Sequence, residues 1–357
     1  MKRILWILIL AGCMKGSLDR EPPVIEILSP LADTIQAPCL FQVKVHDNLG
    51  IDSVWLYSKD SLLISARDTL VAAYLYEGRH SLIARARDLA GNVAARTLEV
   101  VVVEGERWIW VDGNPDDWRL ELTKEDTLIT DGKEWGYKDP EGDDTGDGDY
   151  TYPLNEIFHG TEADMVEFRI LGVPDSERIF VLIKLAGFDS LWMPFISISF
   201  DLDHVPGSGN MDGGGFSELS ISSENAWEYT VHVRSGELVL YDKDWNTVPS
   251  DSQVFFNPEE GIIELSISTS SWSASPWDKP VYLTVFSALE EFGHAREINE
   301  VASEWYGGGG TEGETDPDVY DLLFYPSSLQ PEVLSGYTET SWATLPPEAA
   351  GEVEFDR

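Results

Sequence analysis

The chain has 357 residues and carries 64 acidic against 24 basic side chains, a formal net charge of −40 at pH 7. Such a surface repels phosphate backbones, which excludes nucleic acid as a partner. Hydrophobic residues make up 43% of the chain, enough for packed cores, and the length predicts two domains.

The N-terminus, MKRILWILILAGC, has the layout of an export signal: two basic residues, an apolar run over 4–11, and small residues before Cys13. The run is too short to span a bilayer. LAGC resembles the lipobox of bacterial lipoproteins, in which the signal is cut before a cysteine that carries lipid. We therefore expect a signal peptide over 1–12 and a lipidated Cys13 with its tether over 13–21, which predicts an extracytoplasmic, membrane-anchored lipoprotein of the cell envelope. The alternative is an ordinary secretory signal whose cysteine follows Gly12 by chance.

The region 22–104 alternates apolar and polar residues in short runs such as SVWLYS and HSLIARARD, which predicts strands. DNLGID and DLAGN lie between the runs and are rich in turn residues. About eighty residues of this kind favour an immunoglobulin-like β-sandwich. The segments PPVIEILSP, VHDNLGIDSVWLY and EGRHSLIARARDLAGNVAARTLEVVV resemble the bacterial immunoglobulin-like modules that accompany secreted glycosidases, including the second domain of glucodextranase. That resemblance implies that Asp88, Gly91 and Asn92 are turn residues and not a site.

The region 107–337 has longer and more aromatic strands, which predicts a second, larger antiparallel β-sandwich and an all-β protein. In FISISFDLD the apolar residues share one face and the polar residues the other, as in a strand with one solvated face. RSGE, at 234–237, is typical of a hairpin turn, and ALEEFGHAREIN could form a short helix. We expect the tail, 338–357, to be loosely ordered.

Six motifs of this region, DPEGDDTGDGDYTYP, FHGTEADMVEFRI, AWEYTVHVRSG, SEWYGGGG, DPDVYDLL and YPSSLQPEVL, resemble in order the C-terminal module of glucodextranase. The resemblance implies a β-sandwich related to DOMON domains and to family 9 carbohydrate-binding modules. Such modules are attached to secreted amylases, pullulanases and other surface proteins. The catalytic (α/α) barrel of those enzymes has no counterpart here.

The acidic loop, 139–149, places six acids in eleven residues and continues into two tyrosines and a proline. If the loop is folded, its negative charges need compensation, and calcium fits this role because it takes six to eight oxygen ligands. The predicted ligands are Asp139, Asp143, Asp144, Asp147 and Asp149. The loop is not an EF-hand, because Leu154 occupies the position that needs a bidentate glutamate. An ion-free ordered loop and a disordered acidic spacer are the alternatives.

A second acidic group contains Asp201, Asp203 and Asp212 around a glycine turn, and a turn is favoured there over a site. Trp118 in DGNPDDW resembles the opening of carbohydrate-binding and DOMON-type sandwiches, which implies a structural role.

Glycan binding requires flat aromatic faces that stack on sugar rings. The candidates are Trp135, Tyr150, Tyr152, Trp192 and Trp305, each with a place in the core as the alternative.

The sequence contains no G-x-S-x-G, H-E-x-x-H or P-loop motif, and we expect no catalysis and no haem. The prediction is a non-catalytic, lipid-anchored surface protein that binds glycan or envelope polysaccharide, with structural calcium, and contacts the membrane through its lipid only. The alternatives are an envelope assembly protein that binds protein partners and an unrecognised glycoside hydrolase. The sequence carries no signal of oligomeric state.

Overall fold

The computed structural model describes residues 19–32, 34–36, 39–59, 61–67, 69–75, 78–103, 108–311 and 315–355. The chain divides into two compact units, Met1–Arg107 and Trp108–Arg357. The predicted signal peptide and Cys13 lie outside the described residues. Within the described part of the chain, we find no helix with the length and apolarity needed to cross a membrane.

The first unit is an immunoglobulin-like β-sandwich. Its strands are β1 (Val24–Ser29), β2 (Thr34–Gln36), β3 (Cys39–His46), β4 (Ile51–Ser58), β5 (Ser61–Ala66), β6 (Leu70–Leu75), β7 (Gly78–Asp88) and β8 (Val93–Val103). One sheet has the order β1-β3-β6 and the other β2-β8-β7-β4-β5. In β7, the predicted alternation is confirmed, since Leu82, Ala84 and Ala86 are fully buried in the core.

Asp88, Gly91 and Asn92 form the predicted turn between β7 and β8, although Asp88 also lies within 4.8 Å of carboxylate oxygens of Asp19 and Asp47. The Asp88 carboxylate accepts hydrogen bonds from the Asn92 backbone N–H and from the Asn92 side-chain amide, each at 2.8 Å. Gly91 has a φ of 93°, which a residue with a side chain rarely adopts.

The second unit contains the remaining strands. They are β9 (Thr127–Thr130), β10 (Glu134–Lys138), β11 (Met165–Val173), β12 (Arg178–Leu185), β13 (Pro194–Asp201), β14 (Leu219–Ile221), β15 (Tyr229–Arg234), β16 (Glu237–Asp242), β17 (Gln253–Asn257), β18 (Ile262–Ser268), β19 (Val281–Glu291), β20 (His294–Ala295), β21 (Ile298–Asn299), β22 (Gly307–Gly308), β23 (Asp321–Leu322), β24 (Ala343–Leu345) and β25 (Gly351–Val353). The α-helix α1 spans Gln330–Leu334, and short 3-10 helices span Pro115–Asp117, Pro174–Ser176, Ser223–Asn225, Ser327–Leu329 and Pro347–Ala349.

Two antiparallel sheets form the sandwich of the second unit. Their orders are β10-β11-β12-β18-β17 and β16-β15-β13-β19-β20, with β23 and β25 also paired to β19. The main core lies between them, because apolar residues alternate along β11, β12, β13, β15, β18 and β19. The predicted hairpin over 234–237 is confirmed by the pairing of Arg234 with Glu237.

The outer faces of both sheets are covered, which corrects the prediction of a solvated face on β13. Ser197 and Ser199 are buried, and the Ser197 hydroxyl donates to the Gly213 carbonyl at 3.3 Å. A satellite core that includes Phe195, Phe286 and Leu219 lies on that side. The polar side chains of Ser197 and Ser199 therefore form hydrogen bonds under a covering loop and do not contact water.

On the other sheet, Trp118 is buried, as its structural interpretation requires. Its indole N–H donates to Glu264 at 2.7 Å, and the same carboxylate accepts the backbone N–H groups of Asp112 and Gly113, each at 2.9 Å. This buried carboxylate ties the start of the unit to β18.

The predicted helix over ALEEFGHAREIN is wrong. Ala288 and Leu289 are buried in β19, and Glu291 pairs with His294 across a two-residue turn. Both turn residues, Phe292 and Gly293, have positive φ, at 51° and 91°. Such a pair matches the twist of a hairpin and interrupts any helix.

The predicted loose order after residue 338 is also wrong. β24 pairs with β14, and β25 pairs with β19. Val353 and Phe355 join the main core, because alternation in GEVEFD points them inward.

Candidate functional site

An open cleft of about 500 Å³ lies where three loops of the second unit meet. It is lined by Trp192, Ser235, Glu290, Glu291, Phe292, Arg296, Trp305 and Tyr306. Trp192 precedes β13, Phe292 is in the turn after β19, and Trp305 and Tyr306 lie just before β22. We call this site the aromatic cleft.

The aromatic rings of the cleft are exposed although they are large and apolar. Trp192 is 42% exposed, Trp305 is 44% exposed and Phe292 is 93% exposed. Phe292 also has a left-handed backbone, which is rare for a bulky residue. Phe292 therefore combines a strained backbone with an exposed ring, and together with the two tryptophans it makes this opening a candidate binding surface.

Arg296 holds two walls of the cleft together. Its guanidinium donates to the Trp305 carbonyl and to the Glu290 carbonyl, each at 2.8 Å, and lies 5.3 Å from the centre of the Phe158 ring. The same guanidinium donates to Glu291 at 3.2 Å. Buried, charge-assisted hydrogen bonds of this kind fix the position of the loop that carries Trp305.

Ser235 and the Glu290 carboxylate shape the opposite wall. The Ser235 hydroxyl and the Gly293 backbone N–H both donate to Glu290, each at 2.5 Å. Glu290 is therefore occupied in supporting the turn that presents Phe292. Glu291 is more exposed and leaves an acceptor at the cleft.

Of the five predicted glycan-binding residues, the structure brings two together in the cleft, Trp192 and Trp305. Tyr150 and Tyr152 instead pack on Tyr320 in a satellite core, because their segment crosses beneath the loop that carries Trp305. Trp135 packs at the main core and donates its indole N–H to the Glu354 carbonyl at 2.9 Å.

Sequence reasoning missed Phe292, Arg296 and Tyr306. A signal for Phe292 was present in EEFGH, where an aromatic residue beside glycine fits a hairpin tip.

A group of three carboxylates forms a second feature, which we call the carboxylate cluster. It consists of Asp139 after β10, Asp143 in the acidic loop and Asp321 in β23, with one oxygen from each lying within 4.8 Å of the others. Asp139 is 2% exposed and Asp321 is 0% exposed. The topology thus joins residues that are almost two hundred positions apart.

Five of the six carboxylate oxygens of the cluster have no protein donor in the part of the chain that the structure describes. Both oxygens of Asp139, both of Asp143 and Oδ1 of Asp321 are buried without a hydrogen-bond partner among the described residues. The other Asp321 oxygen accepts the Met165 backbone N–H at 2.8 Å. Burial, followed by the charge of Asp321, raises the pKa of Asp139, and burial followed by Asp143 raises that of Asp321.

Asp164 borders the cluster and repeats its pattern. One of its oxygens accepts the Gly142 backbone N–H at 2.9 Å, and the other is buried without a partner in the described part of the chain. Burial and the nearby Asp144 raise the pKa of Asp164 to about 7. Desolvated carboxylates without donors fit a hard divalent cation with oxygen ligands, such as calcium.

Only two of the five predicted metal ligands, Asp139 and Asp143, belong to the cluster. Asp144 accepts a short hydrogen bond from the Tyr152 hydroxyl, Asp147 accepts from the Asp149 backbone N–H at 3.3 Å, and Asp149 is exposed. Sequence reasoning missed Asp321, although an acid between apolar residues in VYDLL is typical of a buried carboxylate.

The second acidic group gathers Asp201, Asp203 and Glu228, whereas Asp212 accepts the Gly214 N–H at 2.8 Å in a turn of its own. Backbone and side-chain donors satisfy this group: His204 N donates to Asp201 at 2.7 Å and Leu202 N donates to Glu228 at 2.7 Å. The turn interpretation is therefore consistent with its contacts.

The two packed sheets make the second unit a β-sandwich. The model of one family, the C-terminal, SLH-like binding module of glucodextranase, matches residues 136–347, more than half of the chain. The chain belongs to this family.

Three of the solved structures that match the chain are the following. A carbohydrate-binding module of the β-sandwich superfamily is 11% identical, with 76% of this chain and 98% of that chain covered and a TM-score of 0.21. SGBP-B from the mixed-linkage glucan utilization locus of Bacteroides ovatus, solved with a mixed-linkage heptasaccharide, is 11% identical, with coverage of 82% and 71% and a TM-score of 0.20. The fibronectin(III)-like modules of CbhA from Clostridium thermocellum are 20% identical, with coverage of 22% and 96% and a TM-score of 0.20. No curated protein matches the chain.

Proposed function

We propose that this chain is a non-catalytic, lipid-anchored surface protein that binds glycan in the aromatic cleft. The observation that carries the proposal is the presence of Trp192, Trp305 and Phe292, exposed on three separate loops around one opening. Flat apolar rings with a few polar groups between them suit the two faces of a sugar ring. Membership of a binding-module family supports the same conclusion.

Glu291 and Ser235 are the polar groups that this proposal assigns to sugar hydroxyls. The Glu291 carboxylate accepts hydrogen bonds from hydroxyls, and the Ser235 hydroxyl, whose proton is directed at Glu290, accepts one through its oxygen. Arg296 is a positioning residue, because its donors are directed at Trp305 and Glu290 backbone oxygens.

We further propose calcium as a structural ion of the second unit, held by the carboxylate cluster. The unpartnered oxygens of Asp139, Asp143 and Asp321 support it. Lipidation of Cys13 and a location on the cell envelope rest on the lipobox resemblance.

The test is retention of the detergent-solubilised full chain on insoluble α-glucan, β-glucan, chitin and purified cell wall, with the Trp192→Ala and Trp305→Ala variants. Each substitution should weaken retention by about tenfold or more, because aromatic anchors of binding sites contribute about 1.4 kcal/mol or more. Trp110→Ala is the matched control, since Trp110 is 60% exposed but lies outside the cleft. Failure of the wild type to bind any polymer, or equal losses in all three variants, would refute the glycan site and favour a protein-binding role in envelope assembly.

A further inference from the structure

We infer that a divalent cation in the carboxylate cluster controls the aromatic cleft through the segment 150–155. The inference rests on the proposed function, because it assigns a regulator to that same cleft. Its two starting observations are independent: the cluster has buried oxygens that find no partner among the described residues, and a continuous set of hydrogen bonds runs from it to the loop that carries Trp305.

The first link joins the cluster to the acidic loop. Gln330 is fully buried, and its amide donates to the Asp143 carbonyl at 2.9 Å and to the Tyr320 carbonyl at 3.2 Å. Its oxygen accepts the Leu322 backbone N–H at 2.8 Å. One side chain therefore holds the loop of Asp143 against the strand of Asp321.

The second link joins that strand to the segment 150–155. Tyr320 precedes Asp321 in the chain, and its carbonyl accepts the Gly146 N–H at 2.9 Å. The Tyr320 hydroxyl donates to the Thr151 carbonyl at 3.1 Å, and the Tyr152 ring lies 4.7 Å from the Tyr320 ring. A displacement of Asp321 is thus passed to the segment by a rigid aromatic residue.

The third link joins the segment to the cleft. Thr151 and Gly308 exchange two backbone hydrogen bonds, at 2.8 and 3.0 Å. The Leu154 N–H donates to the Ser303 carbonyl at 2.8 Å, and the Asn155 N–H donates to the Glu304 carbonyl at 3.1 Å. Trp305 follows directly, so this wall of the cleft is held by hydrogen bonds to the segment that leaves the acidic loop.

The residues that connect the carboxylate cluster to the aromatic cleft are closely packed. A Cβ on Gly307 would lie 2.2 Å from the Tyr320 hydroxyl, and one on Gly309 would lie 2.3 Å from the Asp149 carbonyl. Close-packed contacts transmit displacements instead of absorbing them. When the cation is removed, nothing bridges the three buried carboxyl groups, so Asp143 is no longer held to Asp321 and the segment loses its support.

The coupling is reciprocal, because it is a free energy between two binding equilibria. A glycan that closes on Trp305 must raise the affinity of the cluster for the cation by the same factor that the cation raises the affinity for glycan. Couplings of this kind between sites are typically about 5- to 150-fold.

The first arm of the test needs no glycan. Hydrogen exchange of the detergent-solubilised full chain is measured with calcium and with chelator, on peptides that cover 150–155 and 303–309. Calcium should slow exchange in both peptides by about 5-fold or more, and the peptide around the Val248–Leu240 hydrogen bond serves as an internal control. Asp321→Asn should shift the calcium effect to about tenfold higher calcium concentration, whereas Asp149→Asn, at an exposed position of the same loop, should leave it unchanged.

The second arm titrates soluble dextran and soluble mixed-linkage β-glucan with and without calcium, and titrates calcium with and without the glycan that binds. Affinities that rise together by the same factor support the coupling. Calcium that binds without slowing exchange in the two peptides overturns it, as does glycan affinity that is equal with calcium and with chelator. Absence of any calcium binding also overturns it. If neither glycan binds under any condition, the proposed function fails while the exchange arm still decides the coupling.

Discussion

Replacement of Asp321 by asparagine should raise the stability of the calcium-free protein and reduce the further stabilisation that calcium gives. The cluster brings three carboxylate oxygens within 4.8 Å of one another. At an effective dielectric constant of about 20, each pair of charges at that distance repels by about 3.5 kcal/mol. Asp321 faces two such neighbours, so asparagine removes up to about 7 kcal/mol of repulsion while it keeps an oxygen for the Met165 N–H.

Structural relaxation and proton uptake by the carboxylates reduce this repulsion energy. A third of it, about 2 kcal/mol, is still enough to raise the melting temperature of a domain of this size by about 4 to 8 °C. In chelator, therefore, Asp321→Asn should melt above the wild type. Calcium at 100 times its wild-type Kd should stabilise the wild type by about 2.7 kcal/mol, and a variant with tenfold weaker binding by only about 1.4 kcal/mol. The calcium-induced rise in melting temperature should thus be roughly halved.

The assay is thermal unfolding followed by circular dichroism, in chelator and over a calcium titration, with Asp149→Asn as the control of equal chemistry. Asp149 is exposed and outside the cluster, so its variant should follow the wild type in both conditions. A lower melting temperature for Asp321→Asn in chelator, together with a calcium shift equal to that of the wild type, would refute the reasoning.

Two further predictions concern acid stability and the N-terminus. Burial, with smaller contributions from Arg234 and His294, lowers the pKa of His232 from 6.5 to about 3. The unfolded chain therefore binds a proton that the folded chain excludes, and acidification from pH 7 to 5 should remove about 2 kcal/mol of stability through this residue alone. The His232→Leu variant has no such group, so its unfolding free energy should fall less between pH 7 and pH 5 than that of the wild type. Urea unfolding at both pH values measures the two decreases, and equal decreases would contradict the prediction. Lipidation predicts that an alkyne-labelled fatty acid is incorporated in the wild type and not in Cys13→Ala; label that persists in the variant would exclude Cys13 as the acceptor.

Local patterns in the sequence were sufficient for the strands and for most turns. Leu82, Ala84 and Ala86 alternate along β7, and they are buried because a strand directs successive side chains to opposite sides. Asp88 and Asn92 form a turn whose hydrogen bonds join neighbours in the chain. Such interactions depend on residues within a few positions of each other, so the sequence alone predicts them.

The same patterns misled where burial depends on distant parts of the chain. Ser197 occupies the polar face of an alternating strand, yet the loop around Gly213 covers it. Val353 and Phe355 lie in a tail rich in turn residues, yet β25 pairs with the edge of β19. Periodicity shows which residues share a face, but what covers that face is decided by the remainder of the chain.

For the candidate sites too, some features follow from the sequence and others only from the tertiary structure. The sequence by itself was enough to predict an all-β protein, an acidic loop over 139–149, and five aromatic candidates for stacking on sugars, Trp192 and Trp305 among them. Only the tertiary structure decided which of these residues meet. Asp321 joins Asp139 because β23 pairs with β19, and Trp192 shares a cleft with Trp305 because two loops end at the same edge of the sandwich. Binding requires several groups at one point in space, and only long-range strand pairing brings together residues that the chain keeps far apart.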